Sequence, residues 1–264
     1  MKLPDHVDHI RTLINKAFDN QFSRLGLGPS KMMEIEKIPQ ESHSKREKLD
    51  VLITSHTGEF GNYKEARAKA LDELTFTLFN RLAAVKVMES LHLFPPVVTK
   101  QADHGDRSFG HKIWLEENPE MRSEELEGLR QYFKDEFNKL GETIPLYHKS
   151  YPYALLPYVI DLNEIITAFN AVELDPQIEP EIWQSGDILG WLYESYNNSK
   201  KAAHKASKAK TEYHKVSLQS QVYTPRWVVE FLVSNSLGKL YLEMYPDSEI
   251  KNRFKIANAP ETRI

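Results

Sequence analysis

The sequence predicts a mainly α protein. Three observations carry that expectation. Apolar residues recur at helical spacing through most of the 264 residues. Proline and glycine gather between the periodic stretches rather than inside them. Only one short apolar run, Val51-Leu52-Ile53, reads as a strand. Hydrophobic content of 41% with 11% aromatics is enough to build a core, so wholesale disorder is excluded.

The elements follow in order. Ile10, Leu13, Ile14, Ala17 and Phe18 place one face on a first helix. Residues 23–62 are broken by Gly26, Gly28, Pro29, Pro39, Gly58 and Gly61, and contain the candidate strand. Residues 63–93 return to helix. Leu71, Leu74, Leu78, Leu82 and Val85 make a stripe that Phe76, Phe79, Val87 and Met88 widen. A helix apolar on most sides is a buried one, so this helix is placed at the domain centre, ended by Pro95-Pro96. Residues 97–112 read as a polar loop. Leu126, Leu129, Tyr132, Phe133 and Phe137 make an amphipathic helix over 119–141 with an acidic solvated face. After Pro145, Pro152 and Pro157, the residues Leu162, Ile165, Ile166 and Phe169 mark another helix, with Asp161 as its expected cap. Gly186-Asp187 opens a further helix through Trp191, Leu192 and Tyr196. No internal repeat or sustained heptad pattern appears. The expected organisation is a helical domain over 1–198, a basic connector helix over 199–220, and the start of a second unit over 221–264.

Composition narrows the function classes. There is no cysteine, which excludes disulfides and thiolate metal sites and fits a reducing compartment. No apolar run approaches the ~20 residues that span a bilayer, and the polar start, Met-Lys-Leu-Pro-Asp-His, is not signal-like. A cytoplasmic protein without membrane attachment is expected. Net charge is -4, but the charge is segregated. Residues 200–215 hold six lysines against one glutamate, and residues 116–142 hold nine carboxylates against four basic side chains. Such segregation speaks to partners rather than to fold.

The sharpest local signal is Thr224-Pro225. Threonine is a good helix cap, and proline at the first helical position lacks only an amide that would be unpaired anyway. Read alone, this is a well-capped helix start, followed by Val228, Phe231, Leu232 and Leu240 on one side.

Read in context, the run from Gln221 through Tyr223-Thr224-Pro225-Arg226-Trp227, Asn235-Ser236-Leu237-Gly238 and Leu242-Glu243 resembles the segment that precedes the cofactor loop of large adenine-specific DNA methyltransferases. Three upstream stretches add to the likeness. They are Leu74-Thr75-Phe76-Thr77-Leu78-Phe79-Asn80-Arg81-Leu82 with Met88-Glu89, Tyr151-Pro152-Tyr153-Ala154-Leu155-Leu156-Pro157-Tyr158, and Ile188-Leu189-Gly190-Trp191-Leu192-Tyr193-Glu194. Their order is what persuades. The family is that of the PglX-like methyltransferases of BREX phage-defence systems and the related type IIG restriction-modification enzymes.

The resemblance implies an irregular helical N-terminal domain followed by the first helix leading into a Rossmann-like methyltransferase domain. It implies that the complete enzyme uses S-adenosylmethionine to methylate a flipped adenine in double-stranded DNA. In the family, the Thr-Pro turn lies beside the cofactor, so Tyr223, Thr224 and Pro225 are the candidate cofactor-binding residues. Two family elements are missing before Ile264: the glycine-rich cofactor loop and the Asn/Asp-Pro-Pro-aromatic tetrapeptide. Phe94-Pro95-Pro96-Val97 has the prolines without the flanking groups. The chain is therefore expected to be a non-catalytic front segment, with no catalytic residue of its own and no cofactor when isolated.

The lysine run has two readings. One is a solvated connector. The other is phosphate contact by Lys200, Lys201, Lys205, Lys208, Lys210 and Lys215, which would raise DNA affinity without reading sequence. Type IIG relatives that carry a nuclease need an acidic residue followed by an acid-x-lysine pair. Asp50, Glu59 and Lys64 echo that pattern only loosely. His104, His111, His204 and His214 form no compact ligand set, so no metal site is expected. The rival reading is a helical interaction module that docks other defence proteins or a phage inhibitor through the acidic helix.

Overall fold

The first helix forms where the apolar spacing demands it. Leu3–Arg24 (α1) buries Val7, Ile10, Ile14, Ala17, Phe18 and Phe22 along one stripe. In this computed structural model, which describes residues 1–207 and 223–256, the chain divides into two compact units, Met1–Ala203 and His204–Ile264. The described residues are mostly helical, with one small two-stranded sheet.

In the first unit, Tyr63–Ser90 (α3) is the central helix. Leu74, Leu78, Phe79, Leu82 and Val85 are all buried, and α1 and His43–Phe60 (α2) pack against it. Asn62 caps α3, its side-chain oxygen accepting from the Glu65 amide at 2.9 Å. Gly61 closes α2 in the left-handed region at φ 70°, which a residue without Cβ enters at no steric cost. Val159–Leu174 (α6) lies against α1, and Ile188–Ser207 (α7) buries Ile188, Leu192 and Tyr196 in the same core.

Buried arginines pin the connections. Arg67 donates to the Leu27 carbonyl at 2.9 Å and to Asp19 at 2.7 Å. Arg46 donates to the Leu25 carbonyl at 2.7 Å, the Met33 carbonyl at 3.1 Å and Asp50 at 2.8 Å. These contacts satisfy loop carbonyls that would otherwise be buried without a donor.

Several expectations are corrected. Val51-Leu52-Ile53 is helical, inside α2. Arg46, Leu49, Leu52 and Ile53 form its buried face at helical spacing, while Val51 points out at 68% exposure. Asp50 and Glu59 thus sit on a helix, and Asp50 is paired with Arg46, so no strand-borne nuclease pattern forms. The central helix ends at Ser90, before the prolines, where His92 takes a left-handed φ of 57°. The 97–112 stretch contains a hairpin, Lys100–Gln101 (β1) against Arg107–Ser108 (β2), antiparallel with Lys100 opposite Ser108. It also contains the start of Phe109–Glu117 (α4), capped by Ser108.

The acidic segment is regular helix only from Leu129 to Gly141 (α5). Leu126, Glu127 and Gly128 are all left-handed, and this turn is held by an Arg107–Glu127 ion pair. Asp161 does not cap α6. The helix begins at Val159, which puts Asp161 in its first turn, where a carboxylate still complements the helix dipole.

The second unit contains Arg226–Val233 (α8), a widened π-type turn over Ser234–Gly238, and Lys239–Met244 (α9). The chain then folds back. Lys255 reaches Glu230 at 3.1 Å, and Asn235 donates to the Lys255 carbonyl at 3.0 Å. Gly238 is placed under the Phe254 ring; a Cβ there would sit 3.2 Å from it.

Candidate functional site

The candidate residues fall on both units. Lys200 and Lys201 lie on α7 in the first unit. Lys205, on the same helix, falls in the second unit, as do Tyr223, Thr224 and Pro225. Lys208, Lys210 and Lys215 lie outside the described residues.

Lys200 and Lys205 differ in their surroundings. Lys200 is engaged: its ammonium pairs with Asp72 at 2.6 Å and sits 5.2 Å from the centre of the Tyr196 ring. Lys205 is exposed. A lysine already held by a carboxylate has less to gain from a phosphate than one in solvent.

The Thr-Pro turn is shifted by one residue from expectation. Pro225 occupies the cap position, at φ -55° and ψ 140°, and α8 begins at Arg226. The Pro225 carbonyl accepts from the Val228 and Val229 amides at 2.9 and 3.2 Å. Thr224 stands outside the helix and no side-chain cap is made, because the fixed proline φ already sets the entry angle. Tyr223 is half-buried, and Thr224 and Pro225 are exposed.

Beyond this turn the second unit presents a broad apolar surface. Trp227 is 70% exposed and Leu237 67%, with Leu232, Leu240 and Met244 also exposed. Isolated exposed apolar side chains are ordinary, but a run of this density on one continuous helical stretch is not.

Of the candidate histidines, His214 lies outside the described residues and His111 is held structurally. His111 is buried, stacks on Tyr132 at 4.9 Å between centroids, and its Nε2 lies 2.9 Å from the Glu127 carbonyl. Burial pushes its pKa below the ordinary histidine value. Among the described residues no group of three or more His, Asp or Glu side chains is arranged to hold a metal, and no helix is long and apolar enough to cross a membrane.

One constellation escaped the sequence. A cavity of about 380 Å³ in the first unit is lined by Lys45 and Lys48 of α2, Arg81 of α3, Arg130 and Lys134 of α5, and Lys149. Gln21 of α1 also lines it, with its side-chain oxygen buried and unpartnered. The available signal was the i, i+3 pair at 45 and 48 and the i, i+4 pair at 130 and 134. A local charge count hid the second pair, because it lies within the stretch richest in carboxylates.

Two curated proteins align with most of this chain. An adenine-specific methyltransferase named BrxX from Escherichia coli O9:H4 (strain HS) is 29% identical over 221 residues, covering 73% of this chain and 17% of that protein. An adenine-specific methyltransferase named PglX from Lacticaseibacillus casei (strain Zhang) is 24% identical over 219 residues, covering 70% of this chain and 17% of its own length. The chain is thus related to the PglX-like adenine-specific methyltransferases, as its motifs suggested, and spans about a sixth of the length of these relatives. No family model matches it.

Proposed function

We propose that this chain is a non-catalytic segment of an S-adenosylmethionine-dependent, adenine-specific DNA methyltransferase of a BREX-type phage-defence or restriction-modification system. The alignment carries this reading: nearly three quarters of the chain matches a methyltransferase of which it spans only a sixth. In the complete enzyme, the exposed apolar side chains of α8 and α9 pack on the catalytic domain. The Tyr223-Thr224-Pro225 turn then forms one wall of the cofactor pocket. Burying side chains such as Leu232 and Leu237 is worth about 1.5–3 kcal/mol each, which favours docking of this helical stretch.

The chain's own chemistry accords with a supporting role. Neither a glycine-rich cofactor loop nor the amide-Pro-Pro-aromatic tetrapeptide is in the sequence. The purified 264-residue chain is expected to transfer no methyl group from labelled S-adenosylmethionine to adenine-containing duplex DNA. Methylation by the chain alone would overturn the non-catalytic assignment. The native coding frame around these residues is expected to contain the missing loop and tetrapeptide, and a frame lacking both would sink the methyltransferase assignment itself.

The lysines at 200–215 contribute phosphate contacts in this reading. Lys205→Glu is expected to weaken duplex binding and reduce the salt slope by about one unit, as loss of one phosphate contact does. Lys200→Glu is expected to change it less, since Lys200 is held by Asp72. Equal effects of the two changes in a salt titration would contradict this division.

A further inference from the structure

The cavity between α2, α3 and α5 has no part in the reading above. Six cationic side chains line it, and no aspartate or glutamate is among its lining residues. Among the described residues none of the six is in an ion pair. Two carboxylates on the same helices are engaged elsewhere: Asp50 by Arg46, and Asp135 by the Trp114 indole and the Gln131 amide. Arg81 is almost wholly buried, yet it donates only to the Leu146 carbonyl, and its guanidinium packs over the Phe137 and Tyr147 rings. Arg130 likewise donates to the Pro157 and Leu156 carbonyls, at 2.7 and 2.9 Å. Two arginines fixed by backbone carbonyls keep their full charge unneutralised inside a hollow.

Holding the two arginines out of water without a counter-charge is costly. Burial lowers the pKa of both arginines, and at Lys134 the neighbouring Arg130, Lys45 and Lys48 add to the same downward push. A second observation points the same way. Gln21 is more than nine-tenths buried and its side-chain oxygen has no partner. A rotated amide there would offer an N–H donor to an anion.

We propose that this cavity is a binding site for a phosphorylated small molecule, with its phosphates held by Lys45, Lys48, Arg130 and Lys134. Guanidinium and ammonium groups converging on one acid-free space match the charge density of a di- or triphosphate. The volume, about 380 Å³, lies within the ~300–1,000 Å³ range of small-ligand pockets and admits no duplex. Ala154 and Leu155 on the same lining give the non-phosphate part of the molecule an apolar seat. An adjoining hollow shares Lys45, Arg130 and Lys134 but carries Glu124, Glu125 and Asp161, which directs the phosphates to the acid-free side.

The test is calorimetric titration of the whole chain at low salt with inorganic tripolyphosphate, with adenosine triphosphate and with a short DNA duplex. Lys45 and Lys134 are exposed enough for reversal without disturbing the core. The double change Lys45→Glu, Lys134→Glu is expected to weaken binding of both phosphate probes by about tenfold or more. Its thermal midpoint should not fall, and a control reversal at exposed Lys37 should leave binding intact. Absence of binding by either probe at millimolar concentration overturns the proposal. So does binding that the double change leaves untouched. Duplex binding lost in the double variant, with neither small probe bound, would assign these cations to a nucleic-acid backbone and overturn the small-ligand assignment.

Discussion

A single carboxylate, that of Glu89, fastens the Pro95-Pro96 loop to α3. It accepts from the Val97 amide at 2.6 Å, the Val98 amide at 2.5 Å, the Thr99 amide at 3.0 Å and the Thr99 hydroxyl at 2.7 Å. Lys86, one turn earlier, pairs with Glu173 at 2.8 Å and also donates to Thr99. The sequence offered Phe94-Pro95-Pro96-Val97 as a failed catalytic tetrapeptide; the amide of its last residue, with those of Val98 and Thr99 beyond it, is instead occupied in a structural clamp. Glu89→Ala is expected to destabilise the first unit by at least about 2 kcal/mol in urea unfolding, because it strands buried amides. Burial is the largest influence on Glu89 and raises its pKa, against the opposing pull of Val98, Thr99, Val97 and Lys86. The folded state therefore binds a proton more tightly than the unfolded state. Between the ordinary carboxylate value, about 4.3, and the raised folded value, this group makes stability fall as pH rises. Glu89→Gln is expected to remove that part of the slope. An unchanged slope in the variant, measured by urea unfolding across acidic pH, would show that Glu89 does not titrate as its burial dictates. No sequence pattern announced this clamp, since its partners are backbone amides eight to ten residues away.

At the scale of elements, legibility followed periodicity. Helices α1, α3 and α6 were readable because their apolar residues repeat over several turns. The Val51-Leu52-Ile53 run was not, because three consecutive apolar residues fit a strand and a helix alike. The buried face that decides the matter includes the Arg46 side chain, which a hydrophobic count ignores. The two readings differ in a measurable way. In a strand, Val51 and Ile53 would share a face. In α2, Val51 is exposed and Leu52 is 6% exposed. Val51→Ala is therefore expected to change stability by less than about 0.5 kcal/mol. Leu52→Ala is expected to cost about 2–5 kcal/mol. The reverse ranking in thermal unfolding would place the wrong face inward. The cationic cavity was illegible for a related reason. Its lysines and arginines come from three helices and a loop, and α5 contributes them from a segment whose sequence is acidic overall. Charge summed along a chain and charge summed around a cavity are different quantities.

For the whole molecule, the core assigns independence to one unit and dependence to the other. Every residue of the continuous hydrophobic core falls between Val7 and Tyr196, within the first unit. Among the described residues the second unit contributes none to that core, and the side chain it buries there is the small one of Ser234. Most of the large apolar side chains between Trp227 and Tyr245 are in solvent, so this stretch gains little from burial on its own. Residues 1–207, which retain all of α7, are therefore expected to unfold cooperatively at the same thermal midpoint as the whole chain. Residues 223–256 as a separate peptide are expected to show weak helicity by circular dichroism, because most of a helix's stability in a protein comes from tertiary packing of one face, which the separate peptide lacks. A midpoint several degrees lower in the shortened chain would mean that the second unit stabilises the first. A stably helical isolated peptide would remove the physical reason for its apolar surface to seek a partner, and with it the argument that this helical stretch packs on a methyltransferase domain.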